Sequence, residues 1–401
     1  MQLARTISVS QYFRLLLVSC LGFFSGFPLL LTGATMQAWA VSRGLSLVDV
    51  GFLSLLGLPY LVKWLWAPLI DKFQLCAKSR LLVVVQVVIG FSLLCMSWYS
   101  SEIFYWQISA LFVAFFSATQ DLIIDAYRIE LLESKNYGIG AALSSVGYRI
   151  GMILAGGIGL ILVAKIGWQS TYILAALVMF FAAACCVFFP EIVVANKVSF
   201  SVHKAWADLL SKKHAAFWLV VVFFYRFSDV VVANLGSAFL IQYCNLSIDE
   251  VGLVYKVAGV IATIFGSIIA GLLIRKYELR QMLLLGAILQ CVGFVPFVIL
   301  ANIQNFGILW CYFAVAVESI CAGFALTCLL ALLMDWCNEL YLTTQFAWLS
   351  ALVAVPRVFM GGLAGYIVSI YGWSKLFLLV VVVAMIVVFM LAWIRTKEGK
   401  V

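Results

Sequence analysis

Apolar runs separated by short polar stretches follow one another along the whole chain. A transmembrane helix needs about 20 apolar residues, because it rises about 1.5 Å per residue and the hydrocarbon core of a bilayer is about 30 Å thick. The first run is too long for the core of a signal peptide, so we expect it to be retained. The pattern predicts an all-α membrane protein with about 12 transmembrane helices and no separate soluble domain. The runs lie near 15–39, 48–67, 81–100, 103–126, 138–164, 168–189, 216–240, 249–274, 280–300, 304–334, 343–369 and 372–394.

Two sequence patterns recur after about 200 residues, which is typical of an internal duplication. Each member of the second pair is followed by a glycine-rich run and a Gly-Trp dipeptide. Because each half would hold about six helices, both halves would start on the same side of the membrane and form a parallel repeat, as in the major facilitator fold. The related segments are 45–52 with 246–253, 142–149 with 350–357, and the dipeptides at 167–168 and 372–373.

The longest polar stretch, residues 190–215, predicts a cytoplasmic linker between an N-terminal half at 1–189 and a C-terminal half at 216–401. Within the linker, Val202–Leu210 has an amphipathic pattern. This tract could lie flat on the inner membrane surface or belong to a solvated loop, and the sequence leaves both readings open.

Composition supports a membrane location, since 66% of the 401 residues are apolar and 10% are charged, against roughly a quarter charged in soluble domains. The net charge of +8 comes mainly from Lys and Arg on the side that holds both termini. On the opposite side lie Arg43, Lys165 and Lys375. By the positive-inside rule both termini are expected in the cytoplasm, and the basic residues indicate orientation rather than binding of nucleic acid.

No cofactor or metal site is expected from the sequence. The 11 cysteines lie almost wholly within predicted helices, which indicates no disulfide framework. His203 and His214 lie in a basic loop without further ligands at suitable spacing. The glycine-rich stretch 156–159 follows no strand and lies in mid-membrane, so it favours helix packing over nucleotide binding. Energy for transport would then come from an ion gradient.

Charged residues within the predicted spans are candidates for function, because each costs at least about 2.5–3.5 kcal/mol to insert. Near mid-span the basic residues outnumber the acidic ones, which suits an anionic substrate between the halves. The mid-span residues are Arg149, Arg226, Asp229, Glu318 and Arg357, and nearer the helix ends are Lys63, Asp121, Asp125 and Lys256.

Several of these residues have two readings. Arg226 and Asp229 are three apart on one helical face and could neutralise each other, or they could bind substrate and protons respectively. Arg149 and Arg357 could bind a substrate carboxylate or brace ion pairs. Lys256 could bind substrate or extend its ammonium outward to the interface.

Glu318 has no charged neighbour within one turn of its own helix, so it must pair across helices or stay protonated. Its depth makes it a candidate proton site. Asp121 and Asp125 are four apart on one helical face, and two close carboxylates hinder each other's ionisation, which suits proton coupling. Arg128 follows Asp125 by three residues, so a structural gate pair is the alternative.

A joint set of motifs spanning nearly the whole chain resembles the AmpG family of muropeptide permeases. These motifs occur in both halves and include the residues around Lys63, Asp121, Arg149 and Asp229. They are GFFSGFP at 22–28, QAW at 37–39, KWLWAPLID at 63–71, SATQD at 117–121 with Asp125-Ala126, GYRIGM at 147–152, Asp229, EVG at 250–252 with Lys256, ALLM at 331–334 and TQFA at 344–347.

The resemblance implies import of anhydro-muropeptides across the bacterial inner membrane, driven by protons. These cell-wall fragments join N-acetylglucosamine and anhydro-N-acetylmuramic acid to a short peptide, and their import feeds wall recycling and can influence β-lactamase induction. The matched helix suggests Asp121 and Asp125 for proton coupling. Gln120 and Trp39 lie in matched motifs and are added to the expected substrate-binding residues.

The expected partners are therefore a muropeptide, protons and membrane lipid, with no obligate protein partner. Another anionic sugar, peptide or acyl-CoA compound is the main alternative substrate, because fold alone does not fix the substrate. A membrane-embedded enzyme is the remote alternative, since Asp121 and Asp125 are the one acid pair on their helix and no nucleophile–base arrangement is readable.

Overall fold

The computed structural model describes residues 11–32, 36, 39, 56–72, 77–99, 103–192, 201–303 and 307–398. All regular secondary structure in these residues is helical. The α-helices are α1 Gln11–Leu31, α2 Leu58–Val62, α3 Ala67–Lys72, α4 Lys78–Trp98, α5 Ile103–Leu131, α6 Tyr137–Met152, α7 Gly159–Val187, α8 Val202–Ser211, α9 Ala215–Tyr225, α10 Phe227–Gln242, α11 Ile248–Val251, α12 Val260–Ile274, α13 Leu279–Leu300, α14 Ile308–Trp336 and α15 Leu342–Glu398.

Shorter helical turns connect some of these helices. Two 3₁₀ turns lie at Lys63–Leu65 and Ser134–Asn136. Two π-helical segments lie at Ile153–Ile158 and Gly252–Gly259, each continuous with the α-helix that follows it.

Within the described residues, 9 segments are long and apolar enough to cross a membrane. One of them, Ser134–Val187, is 54 residues long. As one straight helix it would measure about 80 Å, far more than the hydrocarbon core of about 30 Å. The all-helical membrane architecture is confirmed. The count of twelve stays a prediction, because residues 48–55 of the second predicted span lie outside the described part of the chain.

Gly167 and Gly372 break α7 and α15 at the places where the sequence predicts a turn between two spans. Gly167 has φ 80° and ψ 170°, and Gly372 has φ 80° and ψ 171°. A positive φ of this kind is costly for any residue with a Cβ atom, so glycine is required at both points. The two Gly-Trp dipeptides thus share one backbone conformation, whereas the internal repeat itself stays a prediction.

The span predicted near 216–240 is present as Ala215–Gln242, but its helix is interrupted at Arg226. Arg226 has φ −109° and ψ 8°, so α9 ends at Tyr225 and α10 begins at Phe227. Asp229 then lies in the first turn of α10, where the positive end of the helix dipole favours a carboxylate. Hydropathy could not reveal this break, since every residue around it is compatible with a helix.

The chain packs into two compact units. Unit 1 comprises residues 1–133, 143–206 and 337–347. Unit 2 comprises residues 134–142, 207–336 and 348–401. The halves predicted from the repeat, 1–189 and 216–401, remain a prediction.

Glycines bring α1 and α6 into backbone contact in unit 1. A Cβ atom on Gly22 or Gly26 would collide with the carbonyl oxygen of Ser144 or Tyr148. In the opposite direction, a Cβ on Gly147 would collide with the carbonyl oxygen of Ser19. The predicted close-packing role is therefore confirmed for these glycines and for Gly151, which faces Phe23 in the same way. In the third predicted pair, a Cβ on Gly365 would meet open space, and the side-chain position of Gly361 lies outside the described residues.

We predict that Gly147→Ala destabilises the protein, because the added methyl group meets backbone that cannot rotate away. Overpacking of this kind costs about 1–3 kcal/mol. Gly157→Ala, in the following π segment, is the matched control, since its Cβ would meet nothing within 4 Å. Thermal unfolding in detergent, followed by size-exclusion chromatography, should show a lower melting temperature for Gly147→Ala alone. Equal melting temperatures would contradict the close approach.

Candidate functional site

A lysine lies between two carboxylates in unit 1. Lys63 belongs to the 3₁₀ turn after α2, and Asp121 and Asp125 lie one turn apart on α5. The Lys63 Nζ atom is 3.7 Å from Asp121 Oδ2 and 3.8 Å from Asp125 Oδ2. The three side chains are 14%, 12% and 20% exposed respectively. The expected carboxylate pair is thus brought together, with a cation from a different segment shared between its members.

Asp121 is held in place by α1. The Ser25 hydroxyl donates a hydrogen bond of 2.5 Å to Asp121 Oδ1. Next to it, the Gln120 amide nitrogen donates to the Phe24 carbonyl oxygen over 2.6 Å. Each oxygen of the Asp121 carboxylate therefore has a different partner, a hydroxyl on one side and an ammonium on the other. Ser25 thus holds one oxygen of the Asp121 carboxylate, and the other oxygen faces Lys63, which also contacts Asp125.

Arg128 continues the charged group toward α6. One terminal nitrogen of its guanidinium is 3.0 Å from Asp125 Oδ1, and the other donates to the Ser144 hydroxyl over 2.7 Å. The guanidinium also lies 5.6 Å from the ring centre of Phe346, a cation–π distance. Arg128 is 4% exposed. The expected proximity of Asp125 and Arg128 is confirmed, and the group holds two cations and two carboxylates.

This balanced group can respond to a single proton. If Asp121 takes up a proton, Lys63 loses one of its two counter-charges and is attracted to Asp125 alone. Asp125 would then be the one charged carboxylate left to both Lys63 and Arg128, and Arg128 also donates a hydrogen bond to Ser144 on α6. The loss of one negative charge changes the interactions of Lys63 strongly here, because the surroundings exclude most water and charges interact more strongly in a medium of low dielectric constant.

Asp71, at the end of α3, binds the first turn of α15. Its Oδ2 atom accepts hydrogen bonds from the Thr344 backbone N–H at 2.7 Å and the Thr344 hydroxyl at 2.6 Å. Its Oδ1 atom accepts from the Thr343 N–H at 3.3 Å. The carboxylate is 4% exposed and compensates the free N–H groups and dipole of a helix start. Asp71 lies in a motif quoted above, but nothing in its sequence surroundings points to Thr344.

Unit 2 also holds buried charged residues. The Arg226 Nε atom is 3.1 Å from Asp229 Oδ2 across the helix break, so these two residues do form an ion pair. Glu318 is 7% exposed and accepts a hydrogen bond of 3.2 Å from the Ser319 hydroxyl. Glu318 also interacts electrostatically with Tyr255 in the π segment Gly252–Gly259.

The remaining expected substrate residues are more scattered. Gln120 is fully buried, and Arg149 is partly buried on α6. Trp39 is 1% exposed and stacks on Trp106 with ring centres 3.6 Å apart, so its ring is a packing element of unit 1. The side chains of Lys256 and Arg357 lie outside the described residues. The binding and coupling roles of all ten candidates stay predictions.

Sequence reasoning placed Lys63 among the charged residues near helix ends but assigned it no role. The available signal was a lone cation in an apolar span, which implies a buried counter-charge. Ser25 and Asp71 carried no such signal, because hydroxyls are common in transmembrane helices and Asp71 lies beyond the predicted span.

Comparison of the sequence with known proteins gives matches to membrane transporters. The family model of the Major Facilitator Superfamily matches residues 18–316 and 220–401. The anhydromuropeptide permease of Escherichia coli is 33% identical over 395 residues, which cover 94% of this chain and 79% of the permease. The putative transporter AmpG 2 of Rickettsia typhi is 25% identical over 388 residues, covering 93% of this chain and 94% of that protein.

Solved structures share the fold at low sequence identity. The E. coli fucose:proton symporter has a TM-score of 0.74 at 11% identity, covering 96% of this chain and 98% of that chain. A human organic anion transporter has a TM-score of 0.72 at 16% identity, covering 96% of this chain and 100% of that chain. At these identities the likeness establishes the fold alone.

We predict that Lys63→Met destabilises the protein because it leaves two neighbouring carboxylates without their shared cation. Removing one partner of a buried pair costs about 3–5 kcal/mol, and the partial exposure of these side chains places the effect toward the lower end. The double variant Lys63→Met with Asp121→Asn should regain part of the lost melting temperature, since charge balance is restored. Lys165→Met, at an exposed lysine, is the control. Strictly additive effects of the two single changes would show that Lys63 and Asp121 do not interact.

Proposed function

Because this chain belongs to the Major Facilitator Superfamily of transporters, and not to a family of enzymes, we propose that it is a proton-coupled importer of anhydromuropeptides. Alternating access within that fold would carry the substrate across the bacterial inner membrane. Identity of 33% to a permease for these compounds, over 94% of this chain, supports the substrate class. The single observation that carries the coupling proposal is the position of Lys63 between Asp121 and Asp125.

The proposed coupling cycle begins with Asp121 ionised and paired with Lys63. A proton from the outer side neutralises the carboxylate, and Lys63 is then paired with Asp125 alone. The altered charge distribution favours the state in which substrate is released inward, where the proton leaves Asp121. Asp229 and Glu318 are proposed as further titrating groups in unit 2, since both are buried acids in a membrane-spanning helix.

The proposed substrate carries peptide carboxylates, which need cations in the membrane interior. Arg149, Arg357, Arg226 and Lys256 are proposed to supply them. An arginine can bind a carboxylate through two parallel hydrogen bonds, which gives both strength and orientation. Gln120 is proposed to bind the substrate through its amide oxygen. The Lys and Arg residues in the loops support a cytoplasmic position for both termini.

We predict that the direction of net uptake follows the direction of the proton gradient, in inverted and in right-side-out vesicles. We also predict that Asp121→Asn abolishes uptake against a concentration gradient of the ligand. The asparagine keeps the size and hydrogen bonding of the side chain but does not titrate. Exchange of labelled for unlabelled muropeptide should persist, because exchange requires no net proton movement.

Asp125→Asn is the matched comparison, since Asp125 also pairs with Arg128 and is expected to serve the gate. This variant should lose both concentrative uptake and exchange. An uncoupler should reduce wild-type accumulation even with ATP present. Full accumulation by Asp121→Asn at normal membrane abundance would remove Asp121 from the coupling mechanism.

We further predict that Arg149→Ala weakens uptake of the peptide-bearing ligand more than uptake of the bare disaccharide, because only the former offers peptide carboxylates. The comparison is the ratio of initial uptake rates for the two ligands in the same vesicle preparation. Arg149→Lys should retain part of the preference, since it keeps the charge but not the paired hydrogen bonds. Equal losses for both ligands would instead indicate that Arg149 supports the helix bundle.

A further inference from the structure

The linker helix α8 has two apolar stripes. Ala205 and Leu209 are fully buried, whereas Val202, Trp206 and Leu210 are 40%, 41% and 54% exposed. Residues four apart lie on one helical face, so the exposed residues form a continuous stripe. An exposed apolar stripe of this kind suits contact with lipid or protein. The tract is a helix in the structure, and its place on the membrane surface or in solvent stays a prediction.

The buried face of α8 is joined to the segment that binds Asp71. The Gln345 amide nitrogen donates to the Ala205 carbonyl oxygen over 3.1 Å, and the Gln345 amide oxygen accepts from the Asn338 N–H over 2.7 Å. Gln345 is fully buried and follows Thr344, the main hydrogen-bond donor to Asp71. The position of α8 is thus tied to the start of α15.

The short connection to the next span keeps the end of α8 close to the start of α9. Residues 188–201 separate it from α7, and residues 212–214 separate it from α9. Three extended residues reach only about 10 Å, so the end of α8 cannot move far from the start of the next span. Lys204 is exposed on the face of α8 opposite Trp206, and Lys213 is exposed just after the helix ends. An apolar face that holds Trp and a charged opposite face are typical of helices that lie in a bilayer interface.

We propose that the stripe of Val202, Trp206 and Leu210 is embedded in the headgroup region of the leaflet on the side of the termini, with Lys204 on the opposite, aqueous face of α8. The embedded helix, through Ala205 and Gln345, positions the α15 start that binds Asp71. This inference goes beyond the proposed function, because it holds for any solute that the protein carries.

The test uses the full-length protein in vesicles of phosphatidylcholine and phosphatidylglycerol. A spin label is attached at position 206, 210 or 204 through a genetically encoded ketone side chain, which avoids the native cysteines. Lipid contact predicts a higher ratio of collisions with oxygen to collisions with a nickel chelate at 206 and 210 than at the control position 204. Nickel access at 206 and 210 equal to that at 204 would overturn the proposal in favour of a solvated helix. Shielding of 206 and 210 from both reagents would overturn it in favour of a protein partner or a second copy.

The positioning role has its own test. The double variant Trp206→Ser with Leu210→Ser should lower the rate of muropeptide uptake severalfold at normal membrane abundance, whereas Trp206→Phe should keep the wild-type rate. Unchanged uptake by the double variant would refute the positioning role. Muropeptide uptake by the wild-type protein, measured in parallel, tests the proposed function. The spin-label experiment tests the lipid contact separately, because its result does not depend on which solute is carried.

Discussion

Charged side chains in a lipid-spanning bundle must find their counter-charges and hydrogen-bond partners within the protein, because hydrocarbon supplies neither. The arrangement around Lys63 follows from this constraint. Its ammonium is shared by Asp121 and Asp125, and Asp125 is shared in turn by Arg128. Each partner comes from a different turn or segment, so the ionic contacts can be satisfied only when these segments are packed correctly. The group therefore links α5 to the turn after α2 and, through Arg128 and Ser144, to α6.

Asp71 obeys the same constraint with a different kind of partner. Its negative charge is met by backbone N–H groups and one hydroxyl at the start of α15 rather than by a basic side chain. Such a contact depends on the direction of a whole helix, since the dipole and the free N–H groups both point along its axis. Binding of this type can be broken or formed by moving a helix without rearranging any long side chain.

The sequence predicted the elements that depend on local patterns and missed those that depend on distant contacts. Hydropathy predicted an all-helical membrane protein, and Gly147 was correctly assigned to close packing because small residues four apart often mark close contacts between membrane helices. The Arg226–Asp229 pair was also visible, since its members are three residues apart. The break at Arg226 was not, because the residues around it favour a helix equally well.

The missed parts of the site involve partners far apart in the chain. Lys63 meets Asp121 from another segment, and Ser25 reaches the same carboxylate from α1. No periodicity within one helix can reveal which face of a second helix it will meet. A lone charge in an apolar run predicts that a partner exists but not where it lies.

The π segment Ile153–Ile158 has a consequence for how the chain length can vary. A π turn holds one residue more than an α turn, so the helix that runs from α6 into α7 contains one residue more than a continuous α-helix along the same path. Loss of a single residue here would convert the segment to plain α-helix while α6 keeps its backbone contact with α1. Single-residue deletions among related chains should therefore be tolerated at this turn. A deletion one helical turn earlier would instead rotate Gly147 and Gly151 out of the contact with α1 and separate the two helices.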